Sequence, residues 1–125
     1  MLENVEIFRG VPAEELDRLA AAGIRSVFAI GALLTQQGDP ADSIHVIVNG
    51  AVRVERSHPD LTEPVELARL GAGEVVGEIG VLDGGVRTAT VVAIEDTETL
   101  QLSAEQLVQT ILRHPEVTTA LLSVV

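Results

Sequence analysis

The chain has 125 residues, enough for one domain that buries about two-thirds of the surface exposed by its unfolded chain. It contains no cysteine, which excludes disulfides, zinc–thiolate sites and thiol nucleophiles. The net charge is −11 and the eight basic residues are arginines scattered singly, so the composition argues against nucleic-acid and membrane-surface partners. There is no apolar run long enough to span a membrane and no visible signal peptide, so we expect a cytoplasmic location.

The first predicted element is a helix within residues 11–23, "VPAEELDRLAAAG". Pro12 suits the first helical position and Gly23 suits the stop. Glu14 and Arg18 have the i,i+4 spacing of an ion pair on one helix face. The sequence therefore predicts an amphipathic helix at the start of the domain.

After this helix the hydrophobic period changes to that of strands. Short segments rich in β-branched residues alternate with glycine-containing or polar turns, which is typical of an antiparallel sandwich or jelly roll. The predicted strands lie within residues 24–30, 32–36, 43–49, 51–57, 65–70, 88–96 and 97–103.

One turn carries a strong local signal. Asn49 and Gly50 both tolerate positive φ and separate two of the predicted strands, so the dipeptide predicts a β-hairpin. In the second of these strands, Val52 and Val54 should face inward because side chains alternate across a strand.

Helix is predicted again near the C-terminus. Ser103 and Gln106 form a candidate capping box. The apolar residues that follow are Leu107, Val108, Ile111 and Leu112. The pair His114–Pro115 should end this helix and start another, whose apolar face runs from 117 to 124.

The stretch 77–91, "GEIGVLDGGVRTATV", gathers small residues around one carboxylate and one guanidinium. A short helix starting near Gly77 would offer free backbone N–H groups to an anion, and Arg87 could clamp two phosphate oxygens. Glu78 would accept hydrogen bonds from hydroxyl groups. The alternative from the residues alone is a plain turn with Glu78 and Arg87 as a surface ion pair.

This stretch resembles the phosphate-binding cassette of cyclic-nucleotide-binding domains, the family of catabolite activator proteins and protein-kinase regulatory subunits. Residues 28–54 and 70–96 are similar to the two halves of the family pattern. The resemblance implies a mainly β fold, an antiparallel jelly roll with an N-terminal helix, a short cassette helix and C-terminal helices. On this resemblance, the chain is a single domain, 1–125, with a helical part (1–23), the jelly roll (24–102) and C-terminal helices (103–125).

The resemblance also implies roles for the site residues. Glu78 would bind the ribose 2′-hydroxyl, and Arg87 the cyclic phosphate together with cassette backbone N–H groups. Thr88 would contact the phosphate or base, and Ala89 the phosphate through its N–H. The binding residues so implied are Gly77, Glu78, Ile79, Gly80, Arg87, Thr88 and Ala89.

The sequence departs from the family pattern in several places. Gly80 stands where alanine is common and Val86 where proline is common, while Val76 and His45 stand where aromatic residues are expected. The helix that begins at Pro115 is shorter than the family's lid helix, so the residue that caps the base is expected to be missing and the lid truncated.

These features predict a non-catalytic sensor of bacterial type that binds cyclic AMP or cyclic GMP as ligand and needs no cofactor. We expect it to belong to a larger signalling protein with an unknown effector domain, with a homodimer left open. The alternative is a degenerate copy of the fold that mediates interaction or autoinhibition without binding nucleotide. The three histidines lack metal-ligand spacing, so we expect no metal site and no cupin-like enzyme.

Overall fold

The computed structural model describes Leu2, Val5, residues 8–77 and residues 85–113. The helices are α1 (Ala13–Ala22) and α2 (Ala104–Arg113). The strands are β1 (Ile24–Phe28), β2 (Leu33–Thr35), β3 (Ser43–Asn49), β4 (Ala51–Arg56), β5 (Val65–Gly71), β6 (Val75–Val76), β7 (Thr90–Ala93) and β8 (Thr97–Ser103).

The strands form two four-stranded antiparallel sheets, in the orders β1-β8-β3-β6 and β2-β7-β4-β5. Apart from β4 and β5, which are consecutive, neighbouring strands are distant in sequence, so most pairings join the two halves of the chain. This arrangement confirms the predicted mainly β jelly roll with flanking helices. The cassette helix expected within 78–84 and the helix expected after Pro115 lie outside the described residues.

The predicted hairpin at Asn49-Gly50 is wrong. Strand β3 pairs with β8 and β6, whereas β4 pairs with β5 and β7, so the chain passes from one sheet to the other at this dipeptide. A type I′ hairpin turn needs positive φ at both central residues, and here Gly50 has a φ of +102° while Asn49 does not have a positive φ. The inward direction of Val52 is confirmed, since this side chain is fully buried.

Helix α1 lies where the sequence predicts it, with Pro12 at the N-cap and Gly23 at the C-cap. The expected Glu14–Arg18 pair is replaced, because Arg18 instead contacts the carboxylate of Glu15 at 3.1 Å. Glu15 also lies 3.5 Å from Arg113 of α2. This carboxylate is therefore better placed than that of Glu14, as it faces cations from both helices.

The capping box at the start of α2 is confirmed. The N–H of Ser103 donates to Oε1 of Gln106 at 2.8 Å, and the N–H of Gln106 donates to Oγ of Ser103 at 3.1 Å. The side-chain amide of Gln106 also donates to the carbonyl of Ala22 at the end of α1. These bonds fix the start of α2 against α1 and bury Leu107 completely.

Strand β3 has buried residues on both of its faces. Ile44 and Val46 point to the outer face, where helices α1 and α2 and the side chains of Leu2, Val5 and Phe8 cover the sheet. Ile47 points between the two sheets. The outer core contains Leu2, Val5, Phe8, Val11, Leu16, Leu19, Ile44, Val46, Val75, Leu100, Leu102 and Leu107, and the inner core contains Ile47, Val52, Val76 and Val91. The strand is thus the wall between two apolar layers.

Replacing Gly50 by alanine should destabilise the domain more than the same change at Gly73. Both glycines have positive φ, which costs an alanine about 1–2 kcal/mol. At Gly50 the new methyl group would also lie 2.6 Å from the carbonyl oxygen of Asp96, whereas at Gly73 nothing lies within 4 Å. We expect a loss in the free energy of unfolding of roughly 2–4 kcal/mol for Gly50→Ala, measured by urea denaturation. Equal losses in the two variants would contradict the close packing at the sheet crossing.

Candidate ligand-binding site

A polar cluster occupies one end of the space between the two sheets. Because side chains alternate along a strand, Ser43 and His45 of β3 share the face that carries Ile47. Thr99 and Gln101 of β8 lie opposite them, and the backbone registers pair His45 with Gln101. The interior is therefore apolar around Ile47 and polar where β3 begins.

Arg87 reaches this polar end from the segment that precedes β7. Residues 85–87 run antiparallel to residues 38–41, with the N–H of Arg87 donating to the carbonyl of Asp39 at 2.8 Å and the N–H of Gly38 donating to the carbonyl of Arg87 at 3.0 Å. This short ladder fixes the backbone on both sides of the arginine. Its side chain then points inward and is only 6 % exposed.

The guanidinium is held by acceptors at the start of β3. Nη1 donates to the carbonyl of Ser43 at 2.6 Å and, more weakly, to that of Gly77 at 3.5 Å, while Nη2 donates to Oγ of Ser43 at 3.1 Å. The carboxylate of Asp42 lies 3.6 Å from Nη2 and is 83 % exposed. Burial lowers the pKa of Arg87, and the charges of Asp42 and Asp39 oppose that shift. The site thus presents a fixed, buried cation, and among the described residues its nearest carboxylate, that of Asp42, stands in solvent.

Gly77 is required at its position for two reasons. Its φ is +93°, a conformation that L side chains rarely adopt. A Cβ at this position would also collide with Nη1 of Arg87 and lie 3.3 Å from the carbonyl oxygen of Ser43. The glycine therefore makes room for the guanidinium.

Arg87 opens onto a cavity of about 300 Å³. Its walls come from β2, β3, β8 and the segment between β2 and β3, and the lining residues are Leu34, Thr35, Gln36, Asp39, Pro40, Asp42, Ser43, His45, Arg87 and Gln101. A pocket of this size suits a small molecule, and the buried cation favours an anionic group. The geometry supports anion binding.

His45 forms part of the floor of this cavity and is 3 % exposed. Its Nδ1 lies 3.0 Å from Oγ1 of Thr99, and its ring meets that of Phe28 edge to face at 5.7 Å. Burial first, and then the charge of Arg87, lower its pKa to about 4, against an opposing effect of Asp42. The imidazole is therefore neutral at pH 7 and packs as an aromatic ring against Phe28.

The structure brings some of the predicted site residues together. Gly77 and Arg87 meet at the cavity, Thr88 is exposed beside Arg87, and the carbonyl of Ala89 accepts a hydrogen bond from Thr35. The other predicted residues, Glu78, Ile79 and Gly80, lie outside the described residues. Their predicted contacts with a ligand remain predictions.

Sequence reasoning missed Asp42, Ser43 and Gln101. Gln101 donates to Oγ of Ser43 at 2.9 Å, so this hydroxyl accepts from both Gln101 and Arg87. The available signal was the alternation in β3, where Ser43 and His45 are polar residues on the face that carries Ile47. Polar residues on the inner face of a strand need partners, and a buried arginine is such a partner.

Comparison with known proteins defines the class to which this jelly roll and its buried arginine belong. A model of the cyclic nucleotide-binding domain matches residues 25–114, which include both sheets and the cavity. The chain is a member of the cyclic nucleotide-binding domain family.

Individual relatives agree with this assignment. The cyclic AMP receptor protein of Thermus thermophilus is 36 % identical over 114 residues, covering 91 % of this chain and 52 % of that protein. The crystal structure of the Thermus thermophilus catabolite activator protein has a TM-score of 0.84 at 35 % identity, covering 95 % of this chain and 55 % of the other. The N-terminal domain of a transcriptional regulator from Streptomyces coelicolor A3(2) has a TM-score of 0.80 at 34 % identity, covering 97 % of this chain and 86 % of the other. This chain thus spans about half the length of the full-length relatives.

The described residues contain neither a membrane-spanning helix nor a cluster of metal ligands. Neither α1 nor α2 is long and apolar enough to be a membrane-spanning helix. Within residues 8–77 and 85–113, no three histidine, aspartate or glutamate side chains are grouped so that they could hold a metal ion.

Lowering the pH should destabilise the domain through His45. Its folded pKa of about 4 lies below the ordinary value of 6.5, so the unfolded chain takes up the proton first. The stabilising contribution of the neutral ring is complete above pH 6.5 and is lost as the pH falls toward 4. Between about pH 7.5 and pH 5, wild type should lose about 2 kcal/mol more than His45→Phe in urea unfolding.

The exposed His58 provides the matched control. His58→Gln should retain the full pH dependence of the wild type, because the ring of His58 is 62 % exposed. Identical pH dependence in wild type and His45→Phe would show that His45 is not held neutral by the fold.

Proposed function

We propose that this chain is a non-catalytic sensor that binds cyclic AMP through Arg87. The observation that carries the proposal is a guanidinium that is almost completely buried, fixed by Ser43 and Gly77, and open to a cavity of about 300 Å³. A buried cation is stable only with a compensating partner, and the cyclic phosphate is a singly charged anion of suitable size.

The position of Asp42 supports the proposal that a phosphate replaces it as the anionic partner of Arg87. Its carboxylate is the nearest anionic group to Nη2 of Arg87 in the described residues, but at 3.6 Å and with most of its surface in water it compensates the charge only weakly. A phosphate inside the cavity would interact with the guanidinium in a drier environment, where charge-assisted hydrogen bonds are stronger. Binding would therefore replace a weak partner by a stronger one.

The remaining contacts follow from the family resemblance. Glu78 would accept a hydrogen bond from the ribose 2′-hydroxyl, and the N–H groups of Ile79, Gly80 and Ala89 would donate to the phosphate. The exposed hydroxyl of Thr88 would reach the phosphate or the base. One such hydrogen bond contributes about 0.5–1.5 kcal/mol, so we propose that cyclic GMP binds within roughly tenfold of cyclic AMP.

The preference for cyclic AMP rests on the relatives. The similar protein of Thermus thermophilus is a cyclic AMP receptor protein, and the matched region includes the segment that carries Arg87. We further propose that nucleotide occupancy is passed to an effector domain of a larger signalling protein. The support is that the relatives are regulators about twice as long as the part that this chain matches.

Arg87→Ala should weaken cyclic AMP binding by about 30- to 1,000-fold in calorimetric titration, which corresponds to a loss of roughly 2–4 kcal/mol. The variant removes the phosphate's cationic partner and leaves the bound charge poorly compensated. Arg87→Lys should also weaken binding, because an ammonium cannot make the paired hydrogen bonds of the guanidinium fork.

Arg69→Ala is the matched control, since Arg69 is an exposed arginine that pairs with Glu66 on β5. It changes the net charge by the same amount as Arg87→Ala and should leave the affinity near that of the wild type. Binding of similar strength in Arg87→Ala, or no cyclic nucleotide binding by a folded wild type, would contradict the proposed function. The second result would instead favour a degenerate copy of the fold.

A further inference from the structure

His45 is an ionisable group at the floor of the Arg87 cavity that the proposed function leaves without a role. It lies two residues after Ser43 on the same face of β3, and Ser43 holds the guanidinium through both its carbonyl and its hydroxyl. Both His45 and Arg87 line the cavity. A charge change at one of them is therefore felt by the other across the shared cavity.

The side chains that contact His45 from the neighbouring strands are uncharged in the part of the chain that the structure describes, while Asp39 and Asp42 line the cavity with it. Thr99 and Gln101 face it from β8, Val76 pairs with it from β6, and Phe28 contacts it from β1. The charges that act on it are those of Arg87, which disfavours the imidazolium, and of Asp42, which favours it.

The hydrogen bond of His45 is compatible with both protonation states. A threonine hydroxyl can donate to a bare Nδ1 or accept from a protonated one, so the contact with Thr99 persists after the ring gains a proton. What keeps the ring neutral is its burial together with the neighbouring cation. An anion bound to Arg87 would offset that cation and remove one of the two causes.

We propose that His45 is a second anion-responsive group of the cavity, which takes up a proton from solvent when the phosphate of a cyclic nucleotide binds to Arg87. The inference rests on the proposed function. By reciprocity, if the bound phosphate favours the protonated ring, then the protonated ring favours the bound phosphate. Affinity should therefore rise as the pH falls from about 7.5 toward 5.

The test is calorimetric titration of wild type and His45→Phe with cyclic AMP between about pH 7.5 and pH 5, a range that stays above the isoelectric point near 4.5. Wild-type affinity should rise roughly 3- to 10-fold over this range, because the phosphate offsets the charge of Arg87 while the ring stays buried. His45→Phe should lack this rise, and His58→Gln should retain it. Titrations in buffers of different ionisation enthalpy should show proton uptake by wild type that His45→Phe lacks.

The same pH dependence and proton uptake in wild type and His45→Phe would overturn the inference while leaving the proposed function intact. Absence of cyclic AMP binding by wild type at every pH would overturn both. Should His45→Phe fail to fold, NMR titration of the His45 ring in wild type replaces it. The midpoint of that titration should move to higher pH when cyclic AMP is added, and an unmoved His45 midpoint would overturn the inference.

Discussion

The structure depends on keeping one guanidinium buried between two sheets. Isolated charges are unstable in a protein interior, so Arg87 requires acceptors that the surrounding backbone holds in place. The carbonyl of Ser43 at the start of β3 is the shortest of these contacts, and the hydroxyl of the same residue adds a second. Gly77 must be a glycine because its neighbour is this guanidinium. Burial of Arg87 thus requires hydrogen-bond acceptors at Ser43 and the absence of a side chain at Gly77.

The two-sided burial of β3 and β8 links the site to the rest of the domain. On one side these strands carry Ile44 and Leu102, which pack in the core covered by the helices, and on the other they carry the polar groups of the cavity. Helix α2 begins directly where β8 ends, with Ser103 as its cap. The side chains that line the site and those that pack under the helices therefore alternate along the same strands.

Much of the architecture could be predicted because it depends on local patterns. Strand alternation, the capping box at Ser103 and Gln106, and the positions of Pro12 and Gly23 are read from neighbouring residues. The Asn49-Gly50 dipeptide misled for a physical reason. A glycine with positive φ is equally suited to a tight hairpin and to a crossing between sheets, and only the pairing of β4 with β7 and β5 distinguishes the two.

The site was predicted in part for a similar reason. Arg87 and Gly77 stand out as a lone cation near a glycine-rich turn, but the shortest contact of Arg87 is with Ser43, 44 positions earlier, and no local pattern places that residue there. At position 45 the sequence shows only a histidine where an aromatic residue is expected. That His45 and Arg87 line one cavity depends on the register of β3 and on the packing of distant segments, which cannot be read from neighbouring residues.

The central claim is that Arg87 is the anchor of an anionic ligand in this cavity. A crystal structure of the chain with cyclic AMP tests it most directly. The account predicts a cyclic phosphate in the cavity with oxygens at hydrogen-bond distance, about 2.7–2.9 Å, from the guanidinium of Arg87. A nucleotide bound elsewhere, with Arg87 still held only by Ser43, Gly77 and Asp42, would contradict it.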